Sequence, residues 1–174
     1  HFGAKVIFPP TIQPVMGKAI PVWIKNTFTP QAEGTLIKAQ TAKDVNTITG
    51  ISSIGNISLL SLEGSGMIGI PGFSKRLFEV LAQLQVNVIF ITQSSSEHSI
   101  CVGIDEASAA LAKNAVDKAF AIEIAQEKVE PVVIENNLSI IALVGDRMKR
   151  HTGVSGKFFS TLGKSGVNIR AISQ

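Results

Sequence analysis

The chain has 174 residues, 45% of them hydrophobic, and sets 16 Lys+Arg against 13 Asp+Glu for a formal charge of +3. That length suits one large domain or two small ones; the composition argues against disorder, and so balanced a charge does not by itself imply nucleic acid. A single cysteine, Cys101, rules out an intramolecular disulfide and points to a reducing cytoplasm, no apolar run approaches the ~20 residues of a bilayer span, and no signal peptide is visible.

The chain opens without Met, at HFGAKVIF, which reads as an excised fragment. Residues 1–37 carry Pro9, Pro10, Pro14, Pro21 and Pro30 and read as the end of a different domain. Residues 38–46, beginning KAQTAKDVN, read as a polar linker. Ile48 to Ile54 (ITGISSI) is expected to supply an edge strand. Ile57 to Leu62 follows as a short apolar run with the character of a buried strand. A glycine-rich loop, EGSGMIGIPGFS, leads into a helix with Phe73, Leu77, Leu81 and Leu84 on one face. VNVIFITQ is expected as a second strand, and HSICVGI as a third, with Ile100, Val102 and Ile104 alternating. Glu106 to about Gln126 is predicted helical, and VEPVVI closes the unit as a strand.

This unit repeats. Asn56, Ser58, Leu62, Gly64, Met67, Gly72 and Ser74 recur 81 positions on as Asn137, Ser139, Leu143, Gly145, Met148, Gly153 and Ser155. Phe78, Leu81, Val86, Asn87, Ile91 and Gln93 recur as Phe159, Leu162, Val167, Asn168, Ile172 and Gln174. So long an ungapped correspondence marks a duplication. Each copy is expected to fold as β-α-β-β-α-β, the split βαβ of ferredoxin-like α+β folds. The first would span 56–136, and the second 47–55 plus 137–174, the latter stopping before its third strand. The segments before each copy would complete the other.

Gly64, Gly66 and Gly69 spell G-x-G-x-x-G, the spacing of a dinucleotide-binding turn. The context denies it. Pro71 and Gly72 separate Gly69 from the helix, and residues 89–93 offer no carboxylate for a ribose. In the second copy Arg147 and Arg150 replace Gly66 and Gly69. What both copies keep is a glycine leaving the strand, a Met, a glycine at the helix start, and Asn and Gln bracketing the next strand. Free N–H groups at a helix start suit a carboxylate. The amides of Gln93 and Gln174 suit a hydroxyl or ammonium. Together they would hold a small zwitterion.

These segments resemble a known family. GIPGFSKRLFEVLAQLQVNVIFITQSSSEHSICVGI resembles the ACT regulatory domains of aspartokinases. HFGAKVIFPPTIQP and IPVWIKNTFTPQAEGTLI resemble the end of the aspartokinase catalytic domain. TQSSSEHS is most similar to the bifunctional enzymes that fuse aspartokinase to homoserine dehydrogenase. The resemblance implies tandem, interleaved ACT domains that pair edge to edge as a homo-oligomer and bind an end-product amino acid, usually threonine, alternatively lysine. The matching effector positions are Met67, Gly72, Phe73, Asn87, Ile89, Gln93 and Ser94, with Gln174 in the second copy. It implies an ATP contact at Lys5 in the kinase domain, with FPP at Phe8–Pro10 departing from the HPR or HPA of many relatives, and NADP in a homoserine dehydrogenase portion. This fragment itself would hold no cofactor and no catalytic residue.

Plainer readings stand beside these. Gln93 and Gln174 could cap strand ends, Asn87 and Asn168 could be turn residues, and Met67 and Met148 could fill gaps in a core. Cys101 reads as inert core, and His98 has no partner at metal-ligand spacing. The alternative function is a ferredoxin-like RNA-binding or protein-interaction module, which for RNA would need exposed aromatics on central strands.

Overall fold

The computed structural model describes residues 7–38, 48–93, 98–145, 148 and 151–173. Contacts group them into two units, His1–Ser52 with Leu143–Thr152, and Ser53–Ala142 with Gly153–Gln174. In the first unit, helix α1 (Pro9–Met16) starts on proline, whose missing N–H costs nothing at a helix start. Strands β1 (Val22–Ile24) and β2 (Thr35–Ile37) form an antiparallel ribbon with Trp23 opposite Leu36. Gly34 turns the chain back at φ +74°, where an added Cβ would run into the Ile24 carbonyl. Thr49 donates from both its N–H and its hydroxyl to the Val144 carbonyl, at 2.8 and 3.1 Å.

The second unit is built on most of β3 (Gly50–Glu63), α2 (Phe73–Gln83), β4 (Val88–Gln93), β5 (Ser99–Asp105), α3 (Ala109–Ala119), α4 (Ala121–Ala125), most of β6 (Val133–Val144) and α5 (Val154–Lys164). The sheet runs β4-β5-β3-β6. β5 lies antiparallel between β3 and β4, with Leu60 opposite Val102 and Ile91 also opposite Val102. This is the order of a ferredoxin-like sheet, with two crossover helices on one face. The expected alternation holds: Ile100, Val102 and Ile104 are buried and join Leu60 and Leu62. Leu77 and Leu81 of α2 pack on them with Ala112, Val116 and Phe120. Burying a side chain of leucine size is worth about 1.5–3 kcal/mol, so these positions carry the unit's stability.

Four expectations are corrected. Residues 48–54 and 57–62 are not separate strands; β3 runs through both from Gly50. The bend between them is one residue, Asn56 at φ +55°, matched by Asn137 at φ +59° inside β6. Asparagine enters this left-handed region more readily than other side chains, so the strand turns without ending. The helix expected over 106–126 is a 3-10 turn capped by Asp105, then α3, then α4. The break is at Phe120, fully buried with φ −104° and ψ 16°. VEPVVI enters its strand only at Val133. Pro131 has no N–H to give, and the Val132 N–H is taken by Asp117 Oδ1 at 2.7 Å. Finally, 167–173 of VNIRAISQ forms no strand. β4 is paired through β5, and no described segment offers 167–173 an equivalent partner. Arg170 instead forms a bidentate ion pair with Glu135. Most of the expected linker, 39–46, lies outside the described residues.

Candidate functional site

The glycine-rich loop is shaped by what it packs against. Gly64 leaves β3 and donates its N–H to the His98 carbonyl at 2.9 Å; Gly66 donates to the Lys128 carbonyl at 2.9 Å. Glu130 N–H bonds back to the Glu63 carbonyl at 2.8 Å. A Cβ at either glycine would collide with Lys128, and at Gly64 also with the Val129 backbone. The first two glycines of G-x-G-x-x-G therefore permit close approach of two chain segments. Their N–H groups are occupied by these carbonyls, so they are not part of an anion site.

The donors without an acceptor in their own helix lie further on, at the head of α2. Gly69 and Gly72 are left-handed, at φ +66° and +106°, and Gly72 sits at the head of α2. Arg76 N–H bonds the Gly72 carbonyl at 3.0 Å. The N–H groups of Phe73, Ser74 and Lys75 precede that first helical bond and have no acceptor in their own helix. Together with the helix dipole they make an anion-attracting end. A cleft of about 490 Å³ opens beside them. Met67, Gly69, Ile70 and Pro71 of the loop form one side, Gly72, Phe73 and Ser74 the helix end, and Gln93 and Ile100 the strand side. Gln93 closes β4, opposite Ile100. Its side chain makes no hydrogen bond among the described residues, which leaves its amide available to the cleft.

Four of the positions expected from sequence thus share one cleft: Met67, Gly72, Phe73 and Gln93. Asn87 is exposed between α2 and β4, and Ile89 falls in a β-bulge between Val88 and Phe90; neither lines the cleft. Lys5, Ser94 and Gln174 lie outside the described residues. Sequence reasoning passed over Gly69, Ile70, Pro71, Ser74 and Ile100. Ser74 carried a signal, since it recurs as Ser155. Ile100 carried none, because only the strand register brings it opposite Gln93.

The cleft wall has a backing. The Phe73 ring stacks on Phe120 with centroids 5.7 Å apart and planes 13° from parallel. The Arg76 guanidinium lies 3.9 Å from the Phe120 centroid and 5.8 Å from that of Phe73. Arg76 Nη2 approaches Glu123 Oε1 to 2.7 Å. The alignment is poor for a hydrogen bond, and Arg76 Nε has no acceptor either, so the contact acts chiefly as an ion pair. Arg76 holds the Glu123 carboxyl below its ordinary value of 4.5, against an opposing effect of partial burial.

Two other expectations meet the structure here. Cys101 is half-buried on the sheet face opposite Ile100 and Val102, its thiol 3.2 Å from the Ser61 hydroxyl, so it belongs to the second face rather than the core. Phe90 stands on the edge strand β4 with its ring against Gly103, which leaves the RNA-binding alternative without a central aromatic platform.

Order of strands and crossover helices define an α+β module of the ferredoxin-like class, with a cleft at the head of α2. Residues 60–120 and 141–174 match the ACT domain family, and the chain belongs to it. Over 174 residues it is 39% identical to the bifunctional aspartokinase/homoserine dehydrogenase of Haemophilus influenzae, covering all of this chain and 21% of that protein. Its fold is similar to that of Clostridium acetobutylicum aspartate kinase, with TM-score 0.83 and 30% identity over 99% of this chain and 39% of that one. It is also similar to E. coli aspartokinase III in complex with lysine and aspartate (T-state), with TM-score 0.70 and 27% identity over 98% of this chain and 36% of that one. The chain therefore spans well under half the length of each of these proteins.

Proposed function

We propose that the chain is the regulatory region of an aspartokinase, probing the supply of an end-product amino acid and passing its occupancy to the kinase as feedback inhibition. The observation that carries this reading is the cleft at the head of α2, where unbonded helix N–H groups face the same space as the Gln93 amide. The carboxylate of the amino acid meets the N–H groups of Phe73 to Lys75. Gln93 reads its ammonium or hydroxyl, and Met67 and Ile70 receive its apolar atoms. Threonine is the expected effector, with lysine the alternative; the lysine-bound aspartokinase III supports the class of ligand. Inhibition requires that the amino acid prefer one of two arrangements of the protein.

The same reading includes ATP held through Lys5 and NADP in a homoserine dehydrogenase portion. It includes a homo-oligomer as well: β4 is an edge strand with Ile91 exposed, and Ile68 and Ile70 stand exposed on the nearby loop. Such edges tend to be paired or covered. Calorimetric titration with threonine, lysine and methionine tests the effector. Threonine binding is expected, weakened about tenfold by Gln93→Ala through one lost hydrogen bond. A protein that binds none of the three would end this reading.

A further inference from the structure

The two sides of the cleft meet in one residue. On the helix side, Glu123 reaches Arg76 through its carboxylate at 2.7 Å. Arg76 in turn lies over the Phe120 ring, and Phe120 carries the stacked Phe73 ring that forms the cleft wall. On the loop side, the Glu123 backbone carbonyl accepts the N–H groups of Lys128 at 2.9 Å and Val129 at 3.3 Å. Lys128 then accepts the Gly66 N–H, one residue before Met67. Met67 is 4% exposed and lines the cleft across from the helix end. Five contacts thus run from one wall to the other without passing through the sheet.

We propose that Glu123 is a positioning residue for the cleft, setting the separation of its walls through Arg76 and Phe73 on one side and Lys128 and Gly66 on the other. Glu123 does not touch the ligand. It fixes the Phe73 ring, and with it the N–H groups at the head of α2, at a set distance from Met67. This rests on the amino-acid reading above for its consequence, though not for its geometry. A cation over an aromatic face and a partly exposed ion pair are each weak contacts, so the side-chain half of the link is soft enough to tune affinity rather than decide folding.

The test is Glu123→Gln in the full-length protein, which keeps the backbone carbonyl and cuts only the charge pair. Methionine methyl groups are labelled with 13C, the Met67 signal is assigned by Met67→Leu, and threonine binding is titrated on the same samples. The Met67 signal is expected to move as the Phe73 ring shifts, and the threonine Kd to rise about threefold to fivefold, the scale of one such pair. Arg76→Lys keeps the charge without the guanidinium over the ring and is expected to fall between wild type and Glu123→Gln on both readings. A Met67 signal unmoved in both variants overturns the proposal, even if their melting temperatures fall, because the pair would then be structural only. A wild-type protein that binds no amino acid overturns the effector reading alone, and the Met67 signal still decides this one.

Discussion

α2 and α5 occupy matching places in the two copies and share their backbone detail. Each is headed by a left-handed glycine, Gly72 or Gly153, and each takes its first helical bond to that glycine at 3.0 Å, from Arg76 or Lys157. Each ends with a left-handed residue, Gln85 or Gly166, followed by a bond from Val86 to Leu81 at 2.9 Å or from Val167 to Leu162 at 3.0 Å. Burial separates them. Leu77 and Leu81 are 0% and 1% exposed, while α5 buries no residue. Caps and helix ends are therefore written locally, in about ten residues, whereas a core is not. The first copy owes its core to β5 and α3, which lie beyond the repeated stretch.

The largest effect expected from this contrast is in paired truncations. Leu81→Ala should cost about 2–5 kcal/mol, the range for a fully buried leucine, and Leu162→Ala less than half of that; denaturant titration of both compares the copies directly. Next come the helix heads. Gly72→Ala and Gly153→Ala meet open space but need positive φ, so each should cost about 1 kcal/mol. Equal losses in thermal melts would confirm that the head is local, and unequal ones would tie it to the core. Smaller still is the acid response. Arg76 lowers the Glu123 pKa, and Arg170 lowers that of Glu135. Stability from these pairs is present above the ordinary glutamate value and is lost as the pH falls through the lowered folded values. Melting temperatures taken downward from pH 5 should show this loss, and Glu123→Gln should flatten the first copy's share. The smallest change is a gain: Gln85→Gly, mimicking Gly166, should stabilise by a few tenths of a kcal/mol to about 1 kcal/mol by relieving positive φ.

Much of this was legible. The 81-residue offset found both helix heads and both left-handed asparagines, since a duplication preserves positions whose backbone is special. Alternation found the buried face of β5, because a strand's period shows within seven residues. The reason for the loop glycines was not legible. Gly64 and Gly66 answer to Lys128 and Val129, more than sixty residues away, and no local pattern announces such a neighbour. Phe120 likewise sits in an alanine-rich helical stretch where propensity favours continuation; its burial against Phe73 breaks the helix. The cleft was half legible for the same reason. Met67, Gly72, Phe73 and Gln93 stood out from repeat and resemblance, whereas Ile100 entered through strand register and Glu123 through a contact network.

The ring of Phe90 lies where a Cβ on Gly103 would be. Every amino acid except glycine has that atom, so position 103 is closed to drift for as long as position 90 is aromatic. The two sites are bound into a single evolutionary unit, and the order of change is fixed: the ring must shrink before the glycine can go. The second copy has Ala171 at the place of Phe90. Among related sequences, a residue larger than glycine at 103 should be found only where 90 has already become small.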